Sequence, residues 1–351
     1  MNLKRQVRLF GLFFSLLTLF VLLIVPQTTI AHEAYVLDST EVALAMQGST
    51  LDVVDVIGDH LFDFILYFLG VVAVVLIVFK FSISRFAERA IDPAFFYIKH
   101  YSGHIAQLAL GLALLASAYN GAVFGTELSL TNLFGNSANA IQILLYISGI
   151  LIVTGIYTRA GALVCLFIFS ILLLLKGAYM INYFTYFGEA LVIFLLGASY
   201  SLHKVRRPIM SWYVEDLSGI KKHRYVILRI SFGVSLIYAA LYAKYWHYQL
   251  ALETISKFNL TNYFSFDPLF LVLGVLCVEL AIGLMFTLGI EIRFASIVFI
   301  GFLTASLLFF GESVWPHIIL VGTALAMFVH GYDQYTLEGR WYKSGVREPV
   351  L

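Results

Sequence analysis

Charge is scarce in this 351-residue chain: Asp, Glu, Lys and Arg make up 12% of it, and the formal net charge is only +1. Soluble domains carry about 25% charged residues, so the composition excludes an ordinary water-soluble globular domain. With no basic block, nucleic-acid binding is excluded, and the high apolar content excludes a disordered chain. Proline is rare as well, at six residues, which allows long uninterrupted elements. The two cysteines, Cys165 and Cys277, sit inside apolar runs with no CxxC and no zinc-ligand spacing, so neither a disulfide framework nor a zinc site is drawn from them. No Walker motif, GxGxxG or nucleophile elbow occurs. What the chain has in abundance is apolar: 61% hydrophobic and 16% aromatic residues. These predict an all-α polytopic membrane protein with aromatic residues at its interfaces and the lipid bilayer as its main partner.

Residues 1–31 read as a signal peptide. Lys4, Arg5 and Arg8 precede an apolar core from Leu9 to Val25, and Thr29-Ile30-Ala31 is a small-residue cleavage site. Nine further apolar stretches approach the length of about 20 residues that a helix needs to cross a bilayer: 61–81, 103–125, 140–157, 160–182, 184–201, 225–247, 269–290, 294–311 and 315–332. Pro268 and Pro316 stand at helix starts, where the missing N–H costs nothing. With the mature N-terminus outside, fifteen Lys and Arg residues fall in inner loops and only Lys176, Lys244 and Lys257 in outer ones. The positive-inside rule then places this multi-pass chain in a cell (inner) membrane, N-terminus out and C-terminus cytoplasmic. The tail over 32–60 has Glu33, Asp38, Glu41, Asp52, Asp55 and Asp59 but no Lys or Arg. It reads as a solvated acidic exoplasmic tail or as a docking arm for a basic exoplasmic partner.

The chain also repeats itself. A shift of 134 residues places Gly149, Gly155, Gly177, Gly188 and Gly197 on Gly283, Gly289, Gly311, Gly322 and Gly331. Gly155-Ile156-x-x-Arg159 matches Gly289-Ile290-x-x-Arg293 in the same register. Two parallel four-helix bundle repeats are expected, because an even number of spans per unit gives both the same polarity. The organisation is then a signal peptide (1–31), the acidic tail (32–60), an extra transmembrane helix with a basic cytoplasmic loop (61–99), a first four-helix unit (100–202), a basic linker (203–221), a second unit (222–335) and a cytoplasmic tail (336–351).

The second unit carries Arg229-x-x-x-Gly233, Lys244, Glu279-x-x-x-Gly283, Gly289-x-x-x-Arg293 and Trp315-x-His317. In this pattern the chain resembles the DoxX/DoxD family of small four-helix membrane proteins, here in tandem. In the first unit Gln107, Ala122 and Leu145 stand where Arg229, Lys244 and Glu279 would be, so that unit looks like a degenerate scaffold. The resemblance implies a membrane subunit of a quinone-linked redox complex, with a quinone as cofactor and an exoplasmic or membrane redox partner. The competing class is a non-enzymatic membrane carrier or an assembly or structural protein. Whether the chain is itself an enzyme is not written in its residues.

Charged residues within spans are costly and face a bundle interior or a cavity. Glu279 lies about 15 Å into its helix, near the bilayer middle, and about 10–12 Å along the axis from both Arg229 and Lys244. Two readings stay open for it: a protonatable site on a quinone or proton path, or a neutral carboxyl hydrogen-bonded to another helix. Arg229, Lys244, Glu279 and His317 form the candidate polar pocket, although Arg229 and Lys244 could each simply snorkel to opposite interfaces. Secondary candidates are Lys176 with Glu189, expected to pair across a short turn, and Arg159 with Arg293 in corresponding inner turns. No metal site is expected; of the outer histidines His32, His60, His247 and His317, only a mature N-terminal His32 joined by His60 with nearby Asp59 offers a candidate ligand set.

Overall fold

The computed structural model describes residues 37, 42, 45–46, 50–84, 92–196 and 222–341. The signal peptide, the linker over 203–221 and most of the C-terminal tail lie outside the described residues. Within them the chain is all-α. Helix α1 (Val53–Asp59) leads into α2 (Leu61–Ser82). Then α3 (Asp92–Ile98) runs through a 3₁₀ turn into α4 (Ser102–Tyr119), followed by α5 (Leu130–Phe134), α6 (Ala138–Thr154) and α7 (Thr158–Lys176). A 3₁₀ segment, Gly177–Tyr183, precedes α8 (Phe184–Leu196). The second half has α9 (Arg224–Leu241), a π turn over Tyr242–Trp246, α10 (Tyr248–Lys257), α11 (Pro268–Leu288), α12 (Ile292–Phe310), a 3₁₀ turn over Trp315–His317, α13 (Ile318–His330) and α14 (Leu337–Trp341).

Seven helical stretches among the described residues are long and apolar enough to cross a membrane, against the nine spans expected. The difference lies in the fourth helix of each half. Helix α13 has 13 residues, about 20 Å of rise against a hydrocarbon core of about 30 Å, and α8 is counted together with α7. The 38-residue stretch Thr158–Leu195 contains both α7 and α8, and α8 packs back on α7 after the turn at Gly177. Helix α2 is strongly apolar, and no residue of its most apolar 18-residue window is buried by the described residues, so the natural solvent of that window is lipid.

The turns after α6 and α11 share one backbone. Helices α6 and α11 both end on a glycine in the left-handed region, Gly155 at φ 75° and Gly289 at φ 73°, the usual way to stop a helix. Two residues on, Tyr157 (φ 54°) and Glu291 (φ 47°) also adopt positive φ, although neither is glycine. All four positions stand in the 134-residue register.

Close glycine crossings hold each half. Gly111 of α4 lies against the backbone of Gly149 and Val153 on α6, and Gly233 of α9 lies against Gly283 and Thr287 on α11. The halves do not form two separate bundles, however. Helix α13 packs mainly on α4 of the first half, and α8 packs both on α7 of its own half and on α9 of the second. Small residues permit this exchange: Gly188 of α8 sits against Ser231 of α9, and Gly322 of α13 against Ala109 of α4.

The segment over 50–60 departs from the solvated tail expected for it. Asp52 caps α1 by accepting hydrogen bonds from the Val54 and Asp55 N–H groups at 3.1 Å. Leu51 and Val56 are buried in a cluster with Ala240, Phe270 and Leu273, and the Leu51 N–H donates to the Tyr245 carbonyl at 2.9 Å. Its apolar residues, alternating with the acids, decide the outcome.

Candidate functional site

Helices α9 and α11 run antiparallel and cross where Gly233 meets Gly283. From that level Lys244 lies eleven residues along α9 and Glu279 four residues along α11, so their Cα atoms differ in height by about 10 Å. Side-chain reach closes the gap. Lys244 Nζ stands 3.1 Å from Glu279 Oε2, with the two side chains 16% and 24% exposed. The lysine stem therefore runs inward along the helix, opposite to snorkelling, and the π turn at Tyr242–Trp246 forms its base. Two members of the expected pocket, Lys244 and Glu279, are thus in contact. The pair is a salt bridge inside the spanning region, partly open at its edge.

The other two members of the expected pocket lie elsewhere. Arg229 is buried at the opposite end of α9, fifteen residues or about 22 Å from Lys244. Its Nη2 donates to the Tyr335 carbonyl at 3.3 Å, beside Gly289 and Thr336. His317 is buried in the 3₁₀ turn before α13, with Nε2 3.2 Å from Glu312 Oε2 and Nδ1 2.9 Å from the Ser313 carbonyl. The four-residue pocket thus reduces to its Lys244–Glu279 half.

The secondary candidates part company too. Glu189 does not bond to Lys176; it is fully buried, and its Oε1 accepts a hydrogen bond from Thr323 Oγ1 at 2.5 Å. Lys176 acts electrostatically on Glu127 instead. Arg159 donates from Nε to the Phe194 carbonyl at 3.2 Å, at the end of α8. Arg293, its counterpart, does more. Its Nη1 bonds Asp92 Oδ1 at 2.8 Å, and its guanidinium lies 4.3 Å from the Phe95 ring centroid. Asp92 also accepts from the Tyr332 hydroxyl at 3.1 Å. Asp92 was hidden in what reads as a basic loop; the Asp-Pro pair opening a helix is the signal that marks it.

Glu127 is the second residue that sequence reasoning missed. It lies in the 120–129 loop, closed by Val123 N–H to Leu128 carbonyl and Leu130 N–H to Gly121 carbonyl bonds, both 2.9 Å. Phe124, fully buried and 4.2 Å from the Tyr186 ring, draws this loop into the bundle. Glu127 Oε1 accepts hydrogen bonds from Tyr179 (2.8 Å) and Tyr183. Burial pushes its carboxyl up from 4.5 to about 7, against the opposing pull of both tyrosines and of Lys176. The sign follows: the folded state holds this proton more tightly than the unfolded chain, so Glu127's contribution is full below pH 4.5 and is lost as pH rises through about 7. Thermal unfolding in detergent should show Tm falling across that window, and Glu127→Gln should flatten the slope. An unchanged slope in the variant would assign the dependence to another group.

No group of three or more His, Cys, Asp or Glu side chains that could hold a metal is found among the described residues. His60 Nε2 lies 3.8 Å from Asp267 Oδ1, with its ring 5.3 Å from that of Phe270; His32 lies outside the described residues.

A multi-helix apolar body with a salt bridge in its spanning region defines an integral membrane protein. Residues 225–312 match the DoxX family model, so the second half of this membrane protein is DoxX-like. The matched segment runs from the start of α9 to the residue after Gly311 and contains both Lys244 and Glu279. No curated protein and no solved structure matches the chain.

Proposed function

We propose that this protein is a membrane subunit of a quinone-linked redox complex, with the Lys244–Glu279 pair as the polar site for the quinone headgroup. The observation that carries this is the 3.1 Å pair itself, set within the DoxX-matched helices and partly exposed at their surface. Its chemistry suits such a headgroup: the Lys244 ammonium offers hydrogen-bond donors to a carbonyl oxygen, and Glu279 can accept or return a proton. A bound quinone would supply two-electron, two-proton chemistry. Lys244 would orient it and Glu279 would hold a proton beside it, while the electron donor belongs to an exoplasmic or membrane partner.

The faces follow from charge. The face bearing Asp92, Arg159 and Arg293 is cytoplasmic in this proposal, and the face bearing the 120–129 loop is outer, in a cell membrane. We further infer that the halves derive from one duplicated four-helix unit. The shared backbone of the Gly155 and Gly289 turns and the reciprocal packing of α8 on α9 and α13 on α4 support it.

Glu279→Gln keeps the size of the side chain and removes its charge. In protein purified from its native membrane, bound quinone is expected to fall by about tenfold or more, a loss of about 1.4 kcal/mol in binding. Extraction and chromatography of the bound quinone checks it, with Glu312→Gln as the control at a different site. Equal quinone content in the Glu279 variant would remove the pair from the proposed role. One observation favours a carrier as the second reading: the fourth helices of the halves meet around a polar centre, where transporters with parallel repeats place their sites.

A further inference from the structure

Helices α8 and α13 each follow a 3₁₀ turn on the face of the 120–129 loop. Where they meet, Glu189 and Thr323 bond to each other, and the two positions are 134 residues apart. One turn closer to the loop face lies a small cavity. Asn182, Thr185 and Tyr186 line one side and Pro316, Ile319 and Leu320 the other, again three pairs in the 134-residue register. Thr185 and Ile319 of the lining stand four residues before Glu189 and Thr323, so the Glu189–Thr323 pair lies one helical turn beyond the cavity.

Two buried oxygens here have no hydrogen-bond partner among the described residues, Thr185 Oγ1 and Glu189 Oε2. Thr185 is 1% exposed and Glu189 0%. Buried polar atoms left in this state beside a void are the usual marks of an ordered water. Tyr183 completes the lining and also donates a hydrogen bond to Glu127 in the outer loop. Toward the opposite face the interface turns apolar: Ala190, Ile193, Ala324 and Met327 are all buried. The next titratable residue on α13 is His330, about 10 Å beyond Thr323.

We propose that this cavity is a water-filled proton entry from the loop face, through which Glu189 exchanges its carboxyl proton with that side of the membrane only. The exchange is a plain acid–base step: the Glu189 O–H proton passes to cavity water, and a proton returns from water to the same carboxyl, with no change in oxidation state. The groups facing Glu189 fit this use. Cys165 on α7 and Tyr186 on its own helix are the titratable neighbours; α13 contributes the Thr323 hydroxyl, and α9 contributes Ser231 beside Gly188. A void of water size passes protons and excludes any organic substrate. The proposal stands apart from the quinone reading, since Glu279 has no part in it.

The test uses the full-length protein in lipid bilayers and infrared difference spectroscopy during transfer to D₂O. A carboxylic C=O band should shift as its proton exchanges, be absent in Glu189→Gln and move in frequency in Glu189→Asp, which serves should the Gln variant fail to fold. Thr185→Leu fills the cavity and removes its hydroxyl, and it should slow that exchange by about tenfold or more. His330→Phe, on the far side of the apolar layer, should leave the rate unchanged. Absence of a band assignable to Glu189, an unchanged rate in Thr185→Leu, or equal slowing in His330→Phe would each overturn the proposal. Loss of bound quinone in Glu279→Gln with the Glu189 band intact separates the two sites.

Discussion

Asp92→Ala is expected to destabilise the protein by about 3–5 kcal/mol, the range for breaking a buried ion pair from one side. Asp92 is 2% exposed and Arg293 16%, at a separation of 2.8 Å. The carboxylate also receives the Tyr332 hydroxyl, so one side chain joins α3, the start of α12 and the segment after α13. Without it the Arg293 guanidinium keeps its place over Phe95 but loses its counter-charge, and its Nε and Nη2 already lack hydrogen-bond partners among the described residues. Replacing both partners with apolar residues, as in Asp92→Leu with Arg293→Met, should recover most of the loss, because no charge is then stranded. Thermal unfolding of the three variants in one detergent reads this directly. A loss below about 1 kcal/mol for Asp92→Ala would place the pair among weakly coupled surface contacts.

Gly233→Ala should be nearly as damaging, although it adds a single methyl group. A Cβ there would stand 2.6 Å from the Gly283 carbonyl oxygen and 2.8 Å from the Thr287 nitrogen. Both are backbone atoms, so no rotamer change relieves the clash and the α9–α11 crossing must open. Overpacking of this kind typically costs about 1–3 kcal/mol. Opening the crossing also lifts Lys244 and Glu279 out of their register, so bound quinone should fall along with Tm. Gly301 of α12 gives the contrast, since a Cβ there meets nothing within 4 Å; Gly301→Ala should be neutral or stabilise by up to about 1 kcal/mol through helix propensity. Equal Tm values for the two alanine variants would show that the glycine crossing is not a tight contact.

Much of the site chemistry was half visible in the residues. Lys244 and Glu279 stand out because charge inside an apolar run demands a partner, yet counting Cα heights left them apart; only the inward course of the lysine joins them. Glu189 and Thr323 share the glycine register, but their bond depends on the fourth helices being exchanged between halves. Glu127 gave no signal. Its partners Tyr179 and Tyr183 lie in the 3₁₀ segment after α7, more than fifty residues along the chain, and a lone loop glutamate looks the same whether wet or buried.

From composition alone came the helical class and the membrane, because lipid offers the backbone no hydrogen bonds and helices satisfy their own. The apolar run lengths and the glycines likewise marked where helices begin, turn and cross, since those constraints are local. Tertiary structure alone decided which charges are neighbours, which fourth helix serves which half and where the cavity lies. Such contacts are set by helix rotation and side-chain reach across the interface, and residue order along one chain holds neither.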